Sequence, residues 1–214
     1  MSCEIVCIIG QDRQDVIERI SLFRLSCHPV KKAVALLSFS YPAGSAGANA
    51  EAYVRGLLDL LDGRDPLDVQ AQFVESLGRA IEGLDDAQLR TPEAPGKWSV
   101  IEVVQHLADI EIVYGYRYRT VLGDDEPAII GFDQDGWAGT FRYREADLKA
   151  ALAQIGILRK SNLRLLRTLT EEQRDRVGQH AERGAESLWR TVELVAAHDL
   201  VHLAQIERIK AAIL

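Results

Sequence analysis

After residue 50, apolar residues return every three or four positions along most of the chain, a period that predicts helices rather than strands. A short helix is expected over 50–61, capped by Asn49. A longer one follows Asp65-Pro66, an N-cap with proline at the first helical position, and carries Leu67, Val74, Leu77, Ile81 and Leu84 on one face. Pro92 and Pro95 then interrupt the pattern. Ser99-x-x-Glu102 is a capping box, and it opens a helix expected over 99–122, with Val100, Val103, Val104, Leu107, Ile110 and Val113 as the apolar stripe. A connection of about 20 residues follows. A third long helix is expected over 145–168, and a last one runs from Ser187 almost to residue 214. Asp85-x-x-Gln88 and Thr170-x-x-Gln173 mark two short helical pieces. No convincing strand stands out after residue 50. Four long amphipathic helices predict an all-α four-helix bundle over 50–214.

The last helix breaks its own rule in an informative place. Its seam reads Leu188, Val192, Val195, Asp199, His202, Ile206, Ile209, Ile213, apolar at both ends and polar in the middle. His198 lies four residues before His202, so the two share a face about 6 Å apart along the axis, a spacing suited to one metal ion. His106 falls on the apolar stripe of the 99–122 helix. Three imidazoles are thus aimed at one core from two helices, and their nitrogens are expected to converge within about 3–4 Å. A divalent ion held by three histidines keeps positions open for water or substrate. The competing account of each inward histidine is ordinary core hydrogen bonding.

Other polar residues flank this face. Asp109, three residues after His106, is placed to orient an imidazole. Gln205, three after His202, is placed to hold a ligand water or to bond within the core. Arg117 continues the His106 stripe and could grip an anionic substrate or form a salt bridge. Arg159 and Asn162 lie near the inward face of the third long helix with the same two options. Phe132, Asp133 and Trp137 could form a lid in the long connection, and His180 reads as structural. Zinc or nickel suits the donor set.

Residues 1–49 differ from the rest. They open with an apolar run that ends at Gly10 and close on the small-residue stretch Pro42 to Asn49, which reads as a linker. They form an N-terminal extension to which no role is assigned. The three cysteines, Cys3, Cys7 and Cys27, all lie here. Their odd number and spacing predict free thiols in a reducing cytoplasm rather than a disulfide framework.

Composition narrows the function. The chain of 214 residues carries 32 acidic against 25 basic side chains, a net charge of -7, with the two signs interleaved. That argues against nucleic-acid binding, which needs a basic patch to displace counterions. No apolar run approaches the ~18 residues of a membrane span. Neither a Ser-His-Asp order, a phosphate loop nor a dinucleotide fingerprint offers rival chemistry.

Several runs together resemble the DinB-like superfamily. They are Gly96-Lys97-Trp98-Ser99, His106-Leu107-Ala108-Asp109-Ile110-Glu111, Gly131 to Ala138 through Phe132 and Trp137, His180-Ala181-Glu182-Arg183-Gly184, and His198 to Ile206. The resemblance implies a metal-binding four-helix bundle of up-down-down-up connectivity, and a metal triad of His106, His198 and His202. It implies enzymes that transfer a low-molecular-weight thiol to an electrophilic small molecule, or metal-assisted hydrolysis. The alternative is a non-catalytic metal-binding stress-response module. The resemblance also suggests homodimers.

Overall fold

A computed structural model describes residues 50–214, and side chains from Val54 onward. These residues fall within the larger of two units into which the chain divides, Phe39–Leu214. The expected extension 1–49 and its cysteines lie outside the described residues.

The helices start where capping chemistry places them. Helix α1 is Ala50–Asp59 and α2 is Pro66–Ile81, with the Asp65 carboxylate accepting from the Leu67 and Asp68 amides. The short α3, Asp86–Arg90, has the Asp85–Gln88 capping box. Helix α4, Val100–Gly123, begins at Ser99, whose amide and hydroxyl both donate to the Glu102 carboxylate at 2.8 and 2.6 Å. Helix α6, Leu148–Leu166, starts at Asp147, not near 145, because that carboxylate caps the Ala150 amide while Tyr143–Glu145 form a single 3-10 turn. Thr170 and Gln173 box the short α7, Glu171–Arg174, and Ser187 caps α8, Leu188–Ile213.

Two apolar layers reveal the topology. One joins Leu67 of α2, Val121 of α4, Leu166 of α6 and Leu188 of α8. The other joins Leu77 and Ile81 of α2, Val100 and Val104 of α4, Ile155 of α6, and Ile206 and Ile209 of α8. The starts of α2 and α8 therefore share an end of the bundle with the finishes of α4 and α6. Helix α2 runs parallel to α8, and α4 parallel to α6. The order is up-down-down-up, as expected.

The parallel step from α4 to α6 needs a return along the bundle. The connection supplies it and is more ordered than the expected loop. It holds strand β1, Ala128–Ile129, and helix α5, Gln134–Thr140. Strand β2, Val177–His180, pairs parallel with β1 and antiparallel with β3, Gly184–Ser187. These strands correct the strandless reading after residue 50. They have two to four residues and carry Gly178, Gln179, His180 and Glu186, so no apolar alternation announces them.

Between the two apolar layers lies a polar one. Arg159 of α6, only 2% exposed, donates to Glu111 of α4 at 2.6 Å, to Asp199 of α8 at 2.6 and 3.0 Å, and to the Gln70 carbonyl of α2 at 3.1 Å. Asn162 adds bonds from α6 to the Glu111 carboxylate and carbonyl at 3.2 and 3.3 Å. Gln70 donates to the Val192 carbonyl at 2.9 Å. Burial alone would lower the Arg159 pKa; Asp199 and Glu111 overcome it and raise the value further, so the guanidinium stays charged.

Gly115 lets α4 approach this layer. A Cβ there would stand 2.9 Å from Asn162 Oδ1, and Asn162 is itself held by Glu111. Alanine normally stabilises a helix by about 1 kcal/mol over glycine. Here Gly115→Ala is expected to destabilise instead, by about 1–3 kcal/mol, because the packed amide must move. Urea unfolding of the variant measures this; a gain in stability would show that Asn162 yields freely.

Candidate metal centre

The GKWS run and the box after it prepare one wall of the site. Gly96 turns the chain at φ +76°, and Trp98 then packs against the His106 ring at 5.1 Å between centroids. His106 follows nearly two helical turns into α4 and is 1% exposed. On the antiparallel neighbour α8, His198 and His202 are one turn apart and face it.

The three rings meet through their Nε2 atoms. His106 Nε2 stands 3.3 Å from His198 Nε2, which stands 3.0 Å from His202 Nε2. One nitrogen from each histidine lies within 4.8 Å of the others, and among the described residues no carboxylate or thiolate joins the group. With metal–nitrogen bonds of about 2.0–2.1 Å, two ligands stand about 3.3 Å apart on a tetrahedral ion and about 3.0 Å apart across a right angle of an octahedral one. The observed separations fit either.

Tautomer and charge fit as well. His202 Nδ1 lies 2.7 Å from Gln205 Oε1, an acceptor, so Nδ1 carries the proton and Nε2 presents its lone pair to the centre. Burial drives the pKa of His106 and His198 well below the ordinary imidazole value, with His202 adding to it in both. Burial also pushes His202 down to about 4, against the Gln205 bond that raises it. All three are neutral at pH 7, the form that ligates metal. The Nδ1 atoms of His106 and His198 are buried without a protein partner among the described residues.

The other expected site residues lie in different places. Gln205 bonds His202 directly. Asp109 does not touch an imidazole: it accepts from the Tyr143 hydroxyl at 2.6 Å and from Gln105 at 3.1 Å, and Tyr143 in turn packs on Trp98 at 6.3 Å. It braces the wall behind His106 at one remove. Arg117 is not brought to the histidines, because 11 residues of helix separate it from His106 by about 16 Å. Its guanidinium donates to the Ile130 carbonyl at 2.6 Å and lies over the Tyr114 ring, fastening the strand region. Asp133 caps α5 through the Gly136 amide at 3.0 Å, and Phe132 and Trp137 stack on each other at 4.6 Å. The ring neighbours of His106 among the described residues are Trp98, His198 and His202.

Sequence patterning does not single out Glu111 or Tyr143. Glu111 sits within the HLADIE run, where an acid on a long helix looks like a solvated surface residue. Tyr143 precedes the third long helix at a position that no periodicity marks.

Known proteins resemble this chain in the same region. The profile of the DinB superfamily matches residues 72–206. YfiT of Bacillus subtilis is 32% identical over 141 residues, covering 65% of this chain and 79% of the relative. A relative from Geobacillus thermodenitrificans is 32% identical over 136 residues, covering 63% of this chain and 76% of the relative. A solved structure of YfiT, described as a probable metal-dependent hydrolase with an unusual four-helix bundle topology, superposes with a TM-score of 0.65 at 27% identity, over 82% of this chain and 94% of that one.

His180 forms a second buried imidazole, away from the trio. Its Nδ1 accepts from the Glu182 amide at 3.1 Å, and burial, with Arg183 adding to it, pushes its pKa down to about 4. An unfolded His180 takes a proton near pH 6.5, while the folded one resists until about pH 4. Between those values the unfolded state binds more protons, so stability falls as pH falls. Chemical denaturation of the protein and of His180→Gln at a series of pH values should show the unsubstituted protein losing ground to the variant from pH 6.5 to 4. Parallel curves would show that His180 titrates normally.

Proposed function

The chain belongs to the DinB superfamily, and on that footing we propose that it is a metal-dependent enzyme that joins a small thiol to an electrophilic small molecule. The observation that carries the reading is the convergence of three neutral Nε2 donors, from His106, His198 and His202, with no acidic ligand beside them among the described residues. Zinc or nickel suits three imidazoles and tolerates a sulfur co-ligand. A divalent cation on such a neutral set supplies strong Lewis acidity and lowers the pKa of a nucleophile.

The chain's own residues handle orientation and exclusion of water. Gln205 holds the His202 proton on Nδ1, which leaves the lone pair on Nε2 turned toward the other two histidines. Trp98 covers one side of His106, and the Tyr143–Asp109 bond backs Trp98. Tyr143 stays protonated, since burial and Asp109 raise its pKa far above the ordinary phenol value. Among the described residues no carboxylate joins the cluster of three nitrogens. This favours the nucleophile that needs least help. A thiol with a pKa of about 8.5 loses its proton to bulk solvent readily, whereas water starts from about 15.7. In the bond-making step the thiolate sulfur attacks carbon, a C–S bond forms, and the leaving group departs with the electron pair of the broken bond.

Hydrolysis is the second reading, supported by how the relatives are described. The two separate in one experiment. Tag-free protein is metal-analysed, then assayed with cysteine plus chlorodinitrobenzene for conjugation and with p-nitrophenyl acetate for hydrolysis. Metal-dependent conjugation is expected, reduced at least about 100-fold by His202→Ala, since a three-ligand site cannot spare one. Metal-dependent ester cleavage alone would select the hydrolase. Equal rates for both proteins in both assays would leave a non-catalytic metal-binding module.

A further inference from the structure

The polar layer that holds the histidines also holds Arg159, whose hydrogen bonds run to Glu111, Asp199 and the Gln70 carbonyl. His198 and His202 face α4, and Asp199, one step on, is turned by about 100° around α8 toward α6. There the Arg159 fork grips it with two bonds, Nη1 to Oδ2 at 2.6 Å and Nη2 to Oδ1 at 3.0 Å. The same guanidinium holds Glu111, on the helix that carries His106, at 2.6 Å from its Nε. The helices that present the metal ligands are thus joined through one planar cation, on the polar layer that contains them. Apolar layers on either side could accept a helix slid by a turn, because one aliphatic side chain substitutes for another. Directional bonds from a rigid fork select one height and one rotation.

We infer that Arg159, through Asp199 and Glu111, is a positioning residue for the metal centre: it sets α8 against α4 so that the Nε2 atoms of His198 and His202 converge with that of His106. This rests on the reading of the three histidines as a metal site. It assigns Arg159 no contact with metal or substrate.

Arg159→Lys tests it, because lysine keeps the charge but loses the fork. Asp199→Asn is the second variant. It keeps the shape, removes one charged acceptor, and carries the test if the lysine protein does not fold. Leu166→Ala is the control. Leu166 is fully buried in the apolar layer at the far end of α6, so its truncation leaves a cavity that weakens the fold without touching the polar layer. The full chain of each is titrated with Co²⁺ against a chelator, the visible ligand-field spectrum is recorded, and unfolding of the metal-free protein is measured.

Arg159→Lys, or Asp199→Asn in its place, is expected to weaken Co²⁺ binding about 10- to 100-fold and to change the spectrum. Leu166→Ala should unfold more easily yet keep both affinity and spectrum while folded. Affinity within twofold of the unsubstituted protein with an unchanged spectrum in the polar-layer variant would overturn the inference. So would an equal loss in Leu166→Ala, which would reduce Arg159 to a general stabiliser. If the unsubstituted protein binds no Co²⁺, the metal reading itself falls and this inference with it. Binding that survives Arg159→Lys but not His202→Ala removes this inference alone.

Discussion

One guanidinium ties together the four long helices of the described residues. Arg159 sits on α6 and reaches a carboxylate on α4, a carboxylate on α8 and a carbonyl on α2. Withdrawing these charges from water costs several kcal/mol per ion before any attraction is counted, and close geometry is what offsets it. The geometry here is close, and Asn162 shares the load on Glu111. Two acids face one base, however, and burial pushes Asp199 up to about 6 despite the Arg159 pairing that opposes it. An apolar core of the same volume could be equally stable. The polar layer therefore serves register more than stability, and the near-zero exposure of the aliphatic layers at either end is compatible with that division of labour.

The histidine trio lives in the same stratum and follows the same logic in reverse. Arg159 keeps its charge because acids surround it. The imidazoles lose theirs because water is excluded and, among the described residues, no carboxylate joins them. One layer thus holds both a fixed cation and three lone pairs turned toward a common point. The chain order makes this arrangement available: α4 and α8, far apart in sequence, lie side by side and antiparallel, so a residue early in one meets residues near the middle of the other.

Much of this is legible in the amino-acid sequence. The capping boxes at Ser99, Asp85 and Thr170 mark helix starts correctly because they are local chemistry. The trio is visible because a polar residue on an apolar seam conflicts with its surroundings, and His202 and His106 both do so. Arg159 and Asp199 show the same conflict, but what they meet cannot be read from spacing, since the partners of Arg159 lie 40 to 89 residues away. Arg117 misleads for a related reason. It shares the stripe of His106, but a stripe records a direction and not a distance, and about 16 Å of helix rise separates the two. The strands around β2 leave no mark in the pattern because their pairing partners, not their own alternation, define them.

The up-down-down-up order has a consequence for how the chain reaches its final form. Helix α2 packs alongside α8, and the bond from Gln70 to the Val192 carbonyl closes a span of 122 residues. Loop-closure entropy opposes such distant pairings until most of the intervening chain is ordered. During synthesis α2 leaves the ribosome before α6 and α8, the two long helices it packs against, have been made. An αα-hairpin in simple up-and-down order would bury itself as it emerged. This bundle cannot, so its assembly is a late, collective event, and the interval before it is when the nascent chain is most exposed to aggregation and most in need of chaperones.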